Sequence, residues 1–177
     1  MSKAVLLIVD VQKVLLEKIP YNKENFLSNL KTLLSLARQN AIEPIYIQHA
    51  DEVGGELEYG TKGWEFSDEI APIKEDVIIS KKKNSAFKGT ALHACLQEKG
   101  VTTLILAGMQ TEYCIDATCK SAFDLDYFVI IPRGCTTTFD NDYFSGQKII
   151  QYYENKIWHK RYAQVISIEE AIHSNMH

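Results

Sequence analysis

Four side chains that can move protons or attack carbon fall just past strand-like apolar runs. Asp10 follows the run 4–9, His49 ends the run 42–49, Lys81 follows 77–80, and Cys114 lies beyond the run 104–107. A cysteine nucleophile needs a base to take its proton and donors to hold the oxyanion that its attack creates. Asp10 can serve as the base if burial raises its pKa. Lys81 can hold the negative charge of an Asp–Cys pair and orient it. Backbone N–H groups between Gly108 and Cys114 can bind the oxyanion. Gly108 breaks the run before Cys114, and Thr111 reads as the N-cap of a helix whose first turn holds the cysteine. Free N–H groups and the helix dipole lower a thiol's pKa at such a place, so a readily formed thiolate is expected. A Cys114–His49 pair is the other arrangement the spacing leaves open.

Other cysteine chemistries fit less well. A phosphate-loop phosphatase needs an arginine six residues after the cysteine, and this chain has Lys120 there. The proline that a peroxidase places four residues before the threonine is Ala107. Asp116 stands where a nucleophile elbow has its second glycine. Cys114 and Cys119 lie on different faces of a helix and are not a redox pair. His49-Ala-Asp51 offers metal ligands, but the next histidine is His93, so no metal site is read and no cofactor is implied.

The elements that must position these groups alternate. Strands are expected at 4–10, 42–49, 77–80, 104–107, 127–131 and 163–166. Helices are expected at 22–38, 90–99, 113–123 and 143–153, with a last helix opened by the capping box Ser167-Ile-Glu-Glu170. Strands alternating with helices make a parallel sheet with right-handed crossovers, and such sheets bind ligands past the carboxyl ends of their strands. Asp10, His49, Lys81 and Cys114 therefore converge on one edge. Residues 51–63, with four glycines, form a long loop beside it.

The chain has 177 residues, 46% of them hydrophobic, with a net charge of -4. This suits a single domain, 1–177, and gives no basic face for nucleic acid. The longest basic run, Lys81-Lys82-Lys83, is too short for a binding tail. No apolar stretch reaches a membrane span of about 20 residues, and residues 1–3 do not resemble a signal peptide. Cys95, Cys114, Cys119 and Cys135 read as reduced thiols, which fits a cytoplasmic protein.

Taken in order, several segments resemble those of the isochorismatase-like cysteine hydrolase superfamily, in a branch distinct from the nicotinamidases. These are Val9-Asp10-Val11-Gln12, Gly60-Thr-Lys-Gly-Trp-Glu65, Lys81-Lys-Lys-Asn-Ser-Ala-Phe-Lys-Gly-Thr90 and Ala107-Gly-Met-Gln-Thr-Glu-Tyr-Cys114. The resemblance spans nearly the whole chain. It implies an Asp–Lys–Cys triad at Asp10, Lys81 and Cys114. It also implies a Rossmann-like three-layer α/β/α fold with a six-stranded parallel sheet in the order 3-2-1-4-5-6. A cis peptide before Gln110 is implied as well, with the Gln110 and Cys114 N–H groups as oxyanion hole, and assembly into dimers or tetramers. The nicotinamidase metal motif is not matched, and the cysteine that true isochorismatases often lack is retained. A cysteine-dependent amidase acting on a small amide or ureide-like C–N bond through a thioester is therefore expected. Trp64, Phe87 and Tyr113 are candidate substrate contacts, and residues 133–140 are expected to help shape the pocket. A thiol redox sensor, a vinyl ether hydrolase and a non-catalytic binding module are the alternatives.

Overall fold

Ala4–Val9 (β1) is apolar along its length, Thr103–Met109 (β4) is apolar after Thr103, and both are buried at every position. Only a strand covered on both faces has that pattern, so these two form the centre of the sheet. The computed structural model describes residues 3–173. In it β1 pairs in parallel with β4 on one side and with Glu43–His49 (β2) on the other. Val77–Lys81 (β3) adds beyond β2, and Phe128–Pro132 (β5) and Gln164–Ile166 (β7) add beyond β4. The order is β3-β2-β1-β4-β5-β7. This is the expected six-strand arrangement. Its last strand is the seventh in the chain because Thr136–Thr137 (β6) forms an additional short pairing with β4.

Alternation along β1 builds two cores. Leu6 and Ile8 join Phe26, Leu27, Leu30 and Leu33 of α2 (Lys23–Gln39) on one face. Val5, Leu7 and Val9 join Leu92 and Leu96 of α3 (Leu92–Glu98), and Cys119 and Ala122 of α4 (Asp116–Asp124), on the other. A short α1 (Lys13–Glu17) was not expected. The final α6 (Ile168–His173) opens on the expected capping box: Ser167 N–H donates to Glu170 Oε2 at 2.9 Å, and Glu170 N–H donates to Ser167 Oγ at 3.1 Å.

The expected helix 143–153 starts late, as α5 (Gly146–Tyr152), and runs on without a break as a π-helix, Tyr153–Trp158. Asn141 Oδ1 accepts from the N–H groups of Tyr143 and Phe144, and Asp140 Oδ1 accepts from Gly146 N–H. These short side chains satisfy the backbone locally and delay the helix to the Ser145 cap. Likewise Leu92 N–H is taken by Thr90 Oγ1, so α3 begins two residues later than its pattern suggests.

Candidate active site

Parallel register sets the first pair of groups. His49 and Lys81 are direct cross-strand partners on β2 and β3, so both side chains leave the sheet on the same side. That side is the one of Ile47, Ile79, α3 and α4. Simple alternation would put Asp10 with Ile8 on the opposite face. Asp10 instead ends β1 in the left-handed region, φ 53°, while its N–H still donates to Ile47 O. The turn brings its carboxylate to Lys81, Oδ2 to Nζ 2.7 Å.

Cys114 arrives from β4. Gly108 has φ 127°, and a Cβ there would lie 2.1 Å from Val9 O, so only glycine permits this approach of β4 to β1. The Met109–Gln110 peptide bond is cis, as the resemblance implies. Thr111–Ile115 then winds as a π-turn rather than the expected α-helical first turn. Thr111 is not its cap; that position is Gln110, without a side-chain bond. Thr111 Oγ1 donates to Thr137 O, 3.2 Å, and so fastens the turn to β6. Cys114 stands fourth in this turn, half-buried, with Sγ 3.2 Å from Lys81 Nζ.

Asp10, Lys81 and Cys114, from three separate segments, thus meet in one cluster. The Lys81 side chain has no solvent exposure and the Asp10 side chain has 3%. Among the described residues, Asp10 Oδ1 is buried and has no hydrogen-bond partner, which leaves a lone pair free for a proton. Burial pushes the Asp10 pKa up, opposed by Lys81. Burial and the Asp10 carboxylate push the Cys114 thiol up to about 12, again opposed by Lys81. The expectation of a readily formed thiolate is therefore corrected: desolvation and a neighbouring anion outweigh the effect of a helix start. The raised pKa of Cys114 favours a proton on sulfur at rest.

His49 faces the same cluster, but through lysine. Its Nδ1 is 3.0 Å from Lys81 Nζ, and its Nε2 is 3.2 Å from Asp51 Oδ1. Donor atoms of Asp10, His49 and Cys114 lie within 4.8 Å of one another, and the positive charge among them is supplied by Lys81.

Gln12 and Gln48 were not singled out from the sequence for a structural part here. Gln12 is fully buried; its Nε2 donates to His49 O and Trp64 O, and its Oε1 accepts from His49 N–H. Gln48 Nε2 also donates to Trp64 O. Together they tie the ends of β1 and β2 to the close of the 51–63 loop. The signal was a glutamine two residues after Asp10 in an otherwise apolar stretch, since a buried amide must find partners.

Among the candidate substrate contacts, Trp64 packs its ring on Tyr59 at 4.7 Å, and its Nε1 is buried without a partner among the described residues. Tyr113 is half exposed. Phe87 stacks on Tyr127 at 5.8 Å and lines an open depression with Ser85, Lys88, Ser121 and Leu125. A larger cavity of about 640 Å³, lined by Glu112, Phe144, Ile149, Tyr152 and Tyr153, opens beside the π-turn.

An isochorismatase domain matches residues 4–170. The chain belongs to the isochorismatase family. It is an isochorismatase-family hydrolase, and its fold superposes on a crystal structure of an isochorismatase family protein with TM-score 0.86 and 31% identity, covering 93% of this chain and 98% of that one. YrdC of Bacillus subtilis (strain 168), an uncharacterized isochorismatase family protein, is 28% identical over 97% of this chain and 95% of its own length. A streptothricin hydrolase of Streptomyces noursei is 30% identical over 76% of this chain, which spans 50% of that protein. The ureidoacrylate amidohydrolase RutB of Acinetobacter baylyi (strain ATCC 33305 / BD413 / ADP1) is 37% identical over 68 residues, 37% of this chain and 28% of RutB.

Proposed function

We propose that this isochorismatase-family hydrolase is a cysteine amidohydrolase acting on a small amide or ureide-like C–N bond. The observation that carries the reading is Lys81 Nζ bonded at once to Asp10 Oδ2 and Cys114 Sγ, with Asp10 Oδ1 left open. Asp10 takes the thiol proton as Sγ bonds to the carbonyl carbon, and the N–H groups of Gln110 and Cys114 receive the oxyanion. The C–N bond then breaks, the departing nitrogen takes the proton from Asp10, and an acyl thioester remains. Water gives a proton to Asp10 and attacks the thioester; the S–C bond breaks, and the proton returns to sulfur as the acid leaves. Lys81 holds its charge against sulfur and carboxylate throughout.

The name of RutB supports C–N bond cleavage as the chemistry, and the retained thiol supports a thioester route. Incubation with a panel of primary carboxamides and ureido compounds tests it. One or more members release ammonia or an amine with the wild-type protein and not with Cys114→Ala. Equal release by the two proteins, or none with any member, contradicts the reading.

A further inference from the structure

The Lys81 amine has three N–H bonds to place and no exposure to water. Two go to Asp10 and Cys114. The third acceptor is His49 Nδ1, at 3.0 Å. That nitrogen accepts only when unprotonated, so Nε2 carries the ring hydrogen and donates it to Asp51 Oδ1, 3.2 Å away. Asp51 is held in turn: its Oδ2 accepts from Leu57 N–H at 3.0 Å, and its own N–H donates to Leu57 O at 2.9 Å. Gln12 clamps the His49 backbone through both its N–H and its carbonyl.

We propose that His49, fixed in one tautomer by Asp51, is a positioning residue: it takes the third bond of Lys81 and so aims the other two at Asp10 and Cys114. An ammonium on a flexible four-carbon stem has no fixed direction of its own. Two acceptors leave it free to pivot about the line joining them, and a third removes that freedom. The groups that face the ring are Lys81 from β3, Asp10 from the end of β1, Asp51 from the loop after β2 and Cys114 from the π-turn. Burial and Lys81 lower the His49 pKa from 6.5, against the two carboxylates, and so preserve the acceptor near neutrality. Protonation on acidification turns Nδ1 into a donor aimed at Lys81, and the arrangement comes apart.

The inference rests on reading Asp10, Lys81 and Cys114 as one reacting group, but its test needs no substrate. Purified protein is treated with iodoacetamide, and alkylation of the Cys114 peptide is timed by mass spectrometry from pH 5 to 9. His49→Ala slows Cys114 by about tenfold at pH 7.5, because the ammonium no longer points at sulfur. His49→Asn, whose Oδ1 occupies the place of Nδ1, stays within about threefold of wild type. Below pH 6.5 the wild-type rate falls more steeply than that of His49→Asn, which has no ring to protonate. Thermal melts confirm that each variant is folded. A His49→Ala protein that reacts at the wild-type rate or faster overturns the proposal, as does His49→Asn that is as slow as His49→Ala. Failure of the amidase reading would appear separately, as equal turnover by wild type and Cys114→Ala.

Discussion

With its stem sealed from water, the Lys81 amine and the Asp10 carboxylate are each other's main compensation for lost hydration. Replacing Lys81 by methionine keeps the volume but strands Asp10 as an unpaired buried anion, at a cost of about 3–5 kcal/mol near neutral pH. The sign of the pH dependence follows from the carboxylate. A folded-state pKa raised above the unfolded value means that folding disfavours the ion, so the penalty is present at high pH and relieved as pH falls through the raised value. Urea titrations of Lys81→Met at several pH values are therefore expected to approach wild-type stability on acidification. Turnover has the opposite sign. Asp10 must be ionised to accept the thiol proton, so kcat/KM falls on the acid side at a pH above 3.8, the ordinary carboxylate value. Asp10→Asn loses about 10²–10⁴ in kcat across the profile. An acid limb at the ordinary carboxylate value would show that burial does not raise the Asp10 pKa in the working enzyme.

At the scale of elements, the site depends on how closely β4 approaches β1. Gly108→Ala would put a methyl group 2.1 Å from Val9 O at φ 127°, so its cost is about 4 kcal/mol or more, read as a loss of soluble folded protein or a large fall in melting temperature. Near wild-type stability would show that the two strands can part without harm. Much of this level was legible beforehand. Continuous apolar runs marked β1 and the centre of β4, β2 was legible despite Pro44, and the strand ends named Asp10, His49, Lys81 and Cys114 as neighbours. The Ser167–Glu170 box opened α6 where expected. What was not legible has physical causes. The π-turn at Thr111–Ile115 comes from Thr111 bonding forward to β6, a contact between residues far apart in the chain. The late start of α5 comes from Asn141 and Asp140 bonding the backbone ahead of it. The elevated Cys114 pKa comes from burial beside an anion that only the folded sheet brings near.

For the whole molecule, the two faces of the sheet carry separate cores, and the Asp10–Lys81–Cys114 cluster sits over one of them. Leu33 belongs to the α2 face and Leu96 to the α3 face, both without exposure. Each truncation to alanine is expected to cost about 2–5 kcal/mol. Because the clusters lie on opposite sides of the sheet, the double variant should lose the sum within about 0.5 kcal/mol, measured by denaturant unfolding. A large departure from additivity would mean that the layers are coupled through the sheet. The parallel sheet followed from alternation of element types and its strand order from the family resemblance, whereas β6 is too short to be seen in a sequence pattern. Among the described residues, no helix is long and apolar enough to cross a membrane.

The measurement that bears most directly on the account is the mass of Cys114 during turnover. Wild-type protein mixed with a carboxamide that it hydrolyses, then quenched in acid within milliseconds to seconds, is expected to carry the acyl group of that substrate on the Cys114 peptide. The adduct should be released by hydroxylamine and absent from Cys114→Ala. Hydrolysis that proceeds with no acyl group on Cys114 at any time point, or an adduct on another residue, would contradict the cysteine mechanism.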